Sequence, residues 1–167
     1  CMDQVLRQLG GKIRYFDGAM GTTLQAMGLQ PGELPELWNL SRPEDLVEIH
    51  RFYLRAGADF LKSNTFGANR FKLEGSGHSV EEVVSAGIKN ALQAVADCGK
   101  GTVFLDIGPT GKLLRPMGDL DFEDAVAAFK EMVHAGVMAG AEAILIETMS
   151  DIYEAKAALL AAKEGSD

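Results

Sequence analysis

The sequence predicts an α/β fold of about four βα units with parallel strands, and three observations predict it. Short apolar runs bounded by turn residues recur at regular distances, their starts lying 45, 44 and 39 residues apart. Long stretches with apolar residues at helical spacing fill the gaps between them. A glycine follows the end of each of the first three helical patterns. Alternation of this kind gives βα units on a parallel sheet. Four units make either a complete small open sheet or half of a closed barrel; a full (β/α)8 barrel takes about 250 residues. The pattern alone does not choose between the two.

The four strands are read at Ile13–Asp17, Ala58–Asn64, Thr102–Ile107 and Ala141–Glu147. Each is a short, largely apolar run suited to a buried strand. Leu46, Ile49, Tyr53 and Ala56 step by three and four and define the first long helix. Ser41, with Glu44 three residues on, reads as its capping box. Val80, Val84, Ile88, Ala91, Leu92 and Val95 form the second stripe, introduced by Ser79 and Glu82. Phe122, Val126, Phe129, Val133 and Val137 form the third, with Asp121 at the N-cap. Asp151 and Glu154 open a fourth, alanine-rich helix that ends near Gly165. Gly57, Gly99 and Gly140 close the first three. The stretch Gly21–Leu40 reads as an irregular excursion with one helical turn, and Thr65–Gly77 as a second long loop. No linker divides residues 1–167, which are read as a single partial domain.

Composition narrows the function. Hydrophobic residues make up 47% and charged residues 24%, a globular balance. The net charge is -8, and Lys and Arg are scattered, so no basic stripe exists to neutralise phosphates and nucleic acid is not an expected partner. No run of about 18 apolar residues suggests a membrane span, and no apolar signal region opens the chain; a cytoplasmic location is expected. Cys1 and Cys98 are too few for a disulfide framework, and Cys98 reads as an inert packed thiol.

Ligands of parallel α/β sheets and barrels bind at the C-terminal ends of the strands. Those ends carry Asp17-Gly18-Ala19-Met20, Asn64-Thr65-Phe66, Asp106 and Glu147. Asp17 and Glu147 are candidates for holding an ammonium group, since each carboxylate accepts charge-assisted hydrogen bonds. Glycines flanking Ala19 and Met20 let backbone N–H groups approach a ligand carboxylate. An ammonium site beside an N–H cradle describes an amino-acid binder. The alternative stays open that Asp17 caps a turn and Glu147 sits in a salt bridge. Asn64 to Phe66 either line the pocket, with Phe66 as an apolar wall, or serve the loop backbone. Asp106 is read as bonding the Gly-Pro-Thr-Gly turn that follows it, and the acidic run at Asp119, Asp121, Glu123 and Asp124 as favouring a helix start.

No metal site is legible: His50, His78 and His134 are isolated and the cysteines are unpaired. No phosphate loop and no nucleophile–base arrangement can be assembled either.

Five stretches carry a family resemblance: Phe16–Gln25 (FDGAMGTTLQ), Glu36–Asp59, Ser63–Leu73 (SNTFGANRFKL), Asp106–Pro116 (DIGPTGKLLRP) and Ile144–Leu159. Together they resemble the homocysteine-binding domain of the homocysteine S-methyltransferases, and among subfamilies that of the bacterial cobalamin-dependent methionine synthases. The match runs in order from about Ile13 to Glu164. The resemblance implies the N-terminal half of a (β/α)8 TIM barrel. It implies methyl transfer from methylcobalamin to the thiol of homocysteine, which zinc activates as a thiolate. It also implies corrinoid- and folate-binding domains as partners in the intact protein. Asp17 and Glu147 match residues near the substrate amino group, Gly18 to Met20 the turn near its carboxylate, and Asn64 to Phe66 a pocket-lining motif. No residue here matches the three zinc cysteines of the family, so the zinc ligands are absent from this chain and the chain alone is expected to be inactive. Lys62 also departs from the pattern; pointing inward, it would need a partner.

Two other readings stay in view. One keeps the fold but takes betaine or S-methylmethionine as donor. The other is a non-catalytic half-barrel that self-associates through open sheet edges and an uncovered apolar face.

Overall fold

The computed structural model of the chain describes residues 12–166 together with Arg7 and Gly10. Three strands form one sheet: β1 (Phe60–Lys62), β2 (Thr102–Ile107) and β3 (Ala143–Ile146). They lie in sequence order and pair in parallel, with Lys62 opposite Phe104 and Asp106 opposite Leu145. Six α-helices accompany them among the described residues: α1 (Met20–Ala26), α2 (Trp38–Ser41), α3 (Pro43–Arg55), α4 (Val80–Cys98), α5 (Phe122–Ala139) and α6 (Ile152–Gly165).

The first expected strand is reduced to one parallel bridge, Phe16 to Phe60. Asp17 donates its N–H to the Phe60 carbonyl at 3.0 Å, and Phe60 and Asp59 donate theirs to the Tyr15 carbonyl at 3.0 and 2.8 Å. The segment therefore lies along the free edge of β1. Its ladder stops short because little packs around it: Ile13 is 79% exposed and Tyr15 61%. The resulting order, first segment, β1, β2, β3, never reverses. An open doubly wound sheet reverses at a switch point, so this arrangement is that of consecutive units in a barrel wall.

Strand parity sets the two faces of the sheet. Leu61, Val103, Leu105 and Ile107 are fully buried and join the core with Val83, Val84, Ile88, Phe129 and Met132 of α4 and α5. The opposite face carries Phe16, Phe60 and Phe104, whose rings meet at centroid distances of 4.9–5.2 Å. Along the helical layer α3 packs on α4, α4 on α5 and α5 on α6.

Two helix starts behave differently from one another. The Ser79–Glu82 capping box of α4 is present in both directions, at 3.1 and 3.0 Å. The one expected at Ser41 is not: Arg42 is the N-cap of α3, with Pro43 in its first turn. Proline fits the first helical position because its missing N–H would be unpaired there. That shifts the start by one residue and leaves the Ser41 hydroxyl to donate to the Leu37 carbonyl at 3.3 Å. Asp121 takes the N-cap position of α5, but its side chain pairs with Arg115 at 3.0 Å rather than capping. Asp151 caps α6 by accepting the Tyr153 N–H at 2.8 Å. Gly57, Gly99 and Gly140 all take positive φ at or just past the ends of their helices.

The excursion after the first segment is more ordered than its composition suggests. Leu24, Leu29 and Trp38 pack with Leu46 and Ile49 of α3 into a second small core. Arg42 stacks over Trp38 at 3.9 Å from the ring centre, pairs with Asp45 at 2.6 Å and bonds the Met27 carbonyl at 3.2 Å. Glycine and proline content hid helix α1, which begins where the candidate site begins.

Candidate amino-acid site at the strand tips

At the C-terminal ends of the strands lies a cavity of about 300 Å³. Asp17, Gly18, Ala19, Met20, Asn64, Phe66 and Glu147 line it. Thr65 does not. Its hydroxyl donates to the Asp106 carbonyl at 2.8 Å and lies 2.8 Å from the Ser63 hydroxyl, so it fastens β1 to β2 behind the cavity wall. Gly21, Glu36, Lys62, Ser63 and Asp106 complete the lining, none of them singled out as ligand contacts from sequence. A wider hollow of about 680 Å³ between residues 32–41 and 74–78 contains none of the strand-tip residues.

Asp17 is 8% exposed and accepts the Lys62 backbone N–H with both carboxylate oxygens at 3.2 Å. Burial drives its pKa up to about 6; the Lys62 N–H and ammonium oppose the rise, and Glu147 adds a smaller push upward. Asp106 corrects its expectation. Its carboxyl faces the cavity instead of the following turn, and Thr110 of that turn bonds Glu154 at 2.8 Å. Burial first, then a hydrogen bond and charge repulsion from Glu147, hold Asp106 well above the usual carboxylate range. Its Oδ1 is buried and meets no N–H or O–H donor.

Glu147 follows β3 and is latched to β2 by its own N–H, which donates to the Ile107 carbonyl at 3.1 Å. Thr148, next in the chain, has φ 61, an uncommon conformation for a β-branched residue. Glu36 reaches in from the excursion. It is 4% exposed, and its Oε1 accepts the Gly67 N–H at 2.7 Å while Oε2 is buried without a partner. A Cβ on Gly67 would stand 2.9 Å from that Oε1, so the approach requires glycine. Asn64 spends its amide on structure, donating to the Pro35 carbonyl at 2.9 Å and Asn39 at 3.0 Å. That ties the excursion to β1.

The glycines have different tasks. A Cβ on Gly18 would fall 2.6–2.8 Å from the Tyr53 ring, so Gly18 is needed for packing, whereas Gly21 faces open space. The N-cap of α1, Ala19, makes no side-chain cap bond. The first backbone N–H groups of α1 have no acceptor within the helix, and two of their residues, Met20 and Gly21, line the cavity. The site therefore presents four carboxyl groups, one ammonium and a set of free N–H donors. Such a lining suits a small ligand bearing both an ammonium and an anionic group.

Comparison with known proteins gives the family. The family model described as homocysteine S-methyltransferase matches residues 15–166. The chain belongs to the homocysteine S-methyltransferase family. It is 32% identical to the methionine synthases of Mycobacterium tuberculosis and Mycobacterium leprae over 95% of its length. It spans only 14% of each of those relatives. Among solved structures it resembles the homocysteine methyltransferase MmuM from Escherichia coli, in the oxidized form, with a TM-score of 0.80 and 25% identity. That match covers 95% of this chain and 61% of the other. The metallated form matches with the same TM-score at 24% identity. The fold is thus that of part of a homocysteine methyltransferase barrel.

Zinc, which family membership implies, is not accommodated by the described residues. No group of three His, Cys, Asp or Glu residues among them is arranged to hold a metal ion. Neither Cys98 nor any histidine lines the cavity. No described helix is long and apolar enough to cross a membrane.

Proposed function

We propose that this chain is the substrate-gripping part of a homocysteine S-methyltransferase of the methionine synthase type, which moves a methyl group from methylcobalamin to the homocysteine sulfur. The observation that supports the reading is the convergence of Asp17 and Glu147 on one cavity with the N–H groups of residues 18–20. The two carboxyls take the α-ammonium and the N–H groups take the α-carboxylate, which fixes the amino-acid end. Phe66 walls the space beside the side chain, braced by Gly108, whose missing Cβ leaves room for the ring. In the intact protein, activation of the substrate thiol would come from zinc, which none of the described residues would hold. Its ligands lie outside the described residues, and the corrinoid- and folate-binding regions of the intact protein belong to the same proposal. By itself the chain is inactive in methyl transfer.

Calorimetric titration with homocysteine tests the grip. Asp17→Asn and Glu147→Gln each weaken binding about tenfold or more, whereas Asp121→Asn, at the outer start of α5, leaves it unchanged. Equal effects from all three would remove the assignment.

A second donor stays in view, since both readings share the amino-acid site. Methyl transfer assayed with methylcobalamin and with S-methylmethionine separates them. The exposed first segment, with Phe16 40% exposed above the aromatic face, also supports self-association. Sedimentation at micromolar concentration gives a dimer or larger species; a monomer throughout would contradict it.

A further inference from the structure

The cavity holds one ammonium that pairs with none of the described carboxylates. Lys62 ends β1 and lines the cavity beside Asp17, Glu36, Asp106 and Glu147. Strand parity fixes this inward direction, because Lys62 pairs in register with Phe104, on the face opposite Leu61. Its backbone N–H is committed to Asp17, and its charge acts on Asp17 and Asp106. Yet its ammonium forms no ion pair with any described carboxylate. A half-buried lysine among four carboxyl groups would be expected to collapse onto one of them, gaining a charge-assisted hydrogen bond. It stays apart, and among the described residues it is the one cationic side chain lining the cavity.

We propose that Lys62 is a specificity-determining residue whose ammonium binds the carboxylate of the amino-acid ligand. The inference rests on the amino-acid reading of the site and deepens it. Asp17 and Glu147 read the positive end of the zwitterion. Lys62 reads the negative end. The site then rejects amines that lack a carboxylate for two reasons: they leave Lys62 unpaired, and they forfeit its charge-assisted contact.

The test compares homocysteine with 3-aminopropane-1-thiol, which keeps the amine and thiol and lacks the carboxylate. Binding of each is measured by calorimetry to the wild-type protein and to the Lys62→Met, Lys62→Arg and Asp17→Asn variants. Lys62→Met weakens homocysteine binding about 10- to 100-fold and leaves the aminothiol unchanged, while Lys62→Arg, which keeps the charge, largely restores homocysteine binding. Equal weakening of both ligands in Lys62→Met would show that Lys62 acts only through Asp17, and would overturn the inference. So would no change for either ligand. In both cases a loss of both ligands in Asp17→Asn would leave the amino-acid reading standing. If Asp17→Asn alters neither ligand, that reading fails and the inference with it. Circular dichroism of Lys62→Arg and Lys62→Met distinguishes lost binding from lost folding.

Discussion

Replacing Asp17 by Asn should make the protein more stable at neutral pH while it impairs the site. The carboxyl ionises at about 6 in the folded chain against an ordinary value of 3.8, chiefly because it is buried. Between those two pH values the folded state binds more protons than the unfolded state, so stability falls as pH rises through the window. Above about pH 7 the full loss is in place. At about 1.4 kcal/mol per pH unit it comes to about 3 kcal/mol. Asn is close in shape to the protonated acid, and its Oδ1 can still accept the Lys62 N–H. Urea denaturation of wild type and Asp17→Asn at pH 8 should therefore differ by up to about 3 kcal/mol in favour of the variant. Below pH 3.8 the two should nearly coincide. A variant that is less stable at pH 8, or whose advantage does not shrink on acidification, would refute the reasoning. The functional side chain would then be neither desolvated nor costly.

Other expectations follow from the same physics. His50 is fully buried with both ring nitrogens unpartnered, and burial lowers its pKa to about 4. Its linkage runs the opposite way: stability is intact above the ordinary 6.5 and falls as pH drops toward 4, by about 3 kcal/mol in all. His50→Leu should flatten that acid limb in urea titrations. Gly18→Ala forces a Cβ against Tyr53 and should lower the thermal midpoint through overpacking of about 1–3 kcal/mol. Phe129→Ala, which empties a fully buried position between α5 and the sheet, should cost about 3–5 kcal/mol by denaturant titration.

Much of the fold was legible because its signals are local and periodic. The three helical stripes with the glycines behind them, and the alanine-rich fourth helix, reported backbone geometry that the chain adopts with little tertiary help. The Ser79–Glu82 box is of the same kind. Ser41–Glu44 has the identical pattern and fails, because Pro43 competes for the start of the helix and no pair spacing registers that. The first strand had the composition of the others but lacked cover on its outer side, a property of the whole sheet. Strand order, which separates a barrel wall from a doubly wound sheet, likewise rests on long-range pairing.

The site divides along similar lines. Asp17 and Glu147 could be found as acids at strand tips, and Gly18 to Met20 as a glycine-flanked turn. Thr65 looked the same as its neighbours in sequence, yet β1 turns its hydroxyl toward the backbone of β2. Lys62 was placeable by the alternation from Phe60, a signal three residues long. Glu36 arrives from a non-periodic excursion, and its approach depends on Gly67 far along the chain; nothing near it announces that contact. Asp106 was assigned to its own turn because that partner is adjacent, whereas burial and then Glu147, just past the neighbouring strand, set its environment.

A crystal structure of the protein with homocysteine bound addresses the central claim most directly. The account predicts the α-nitrogen within about 3 Å of both Asp17 and Glu147 carboxylates, with the α-carboxylate directed to residues 18–20 and Lys62. A ligand seated in the wider hollow near Trp38 and His78, or with its amine turned away from both acids, would contradict it.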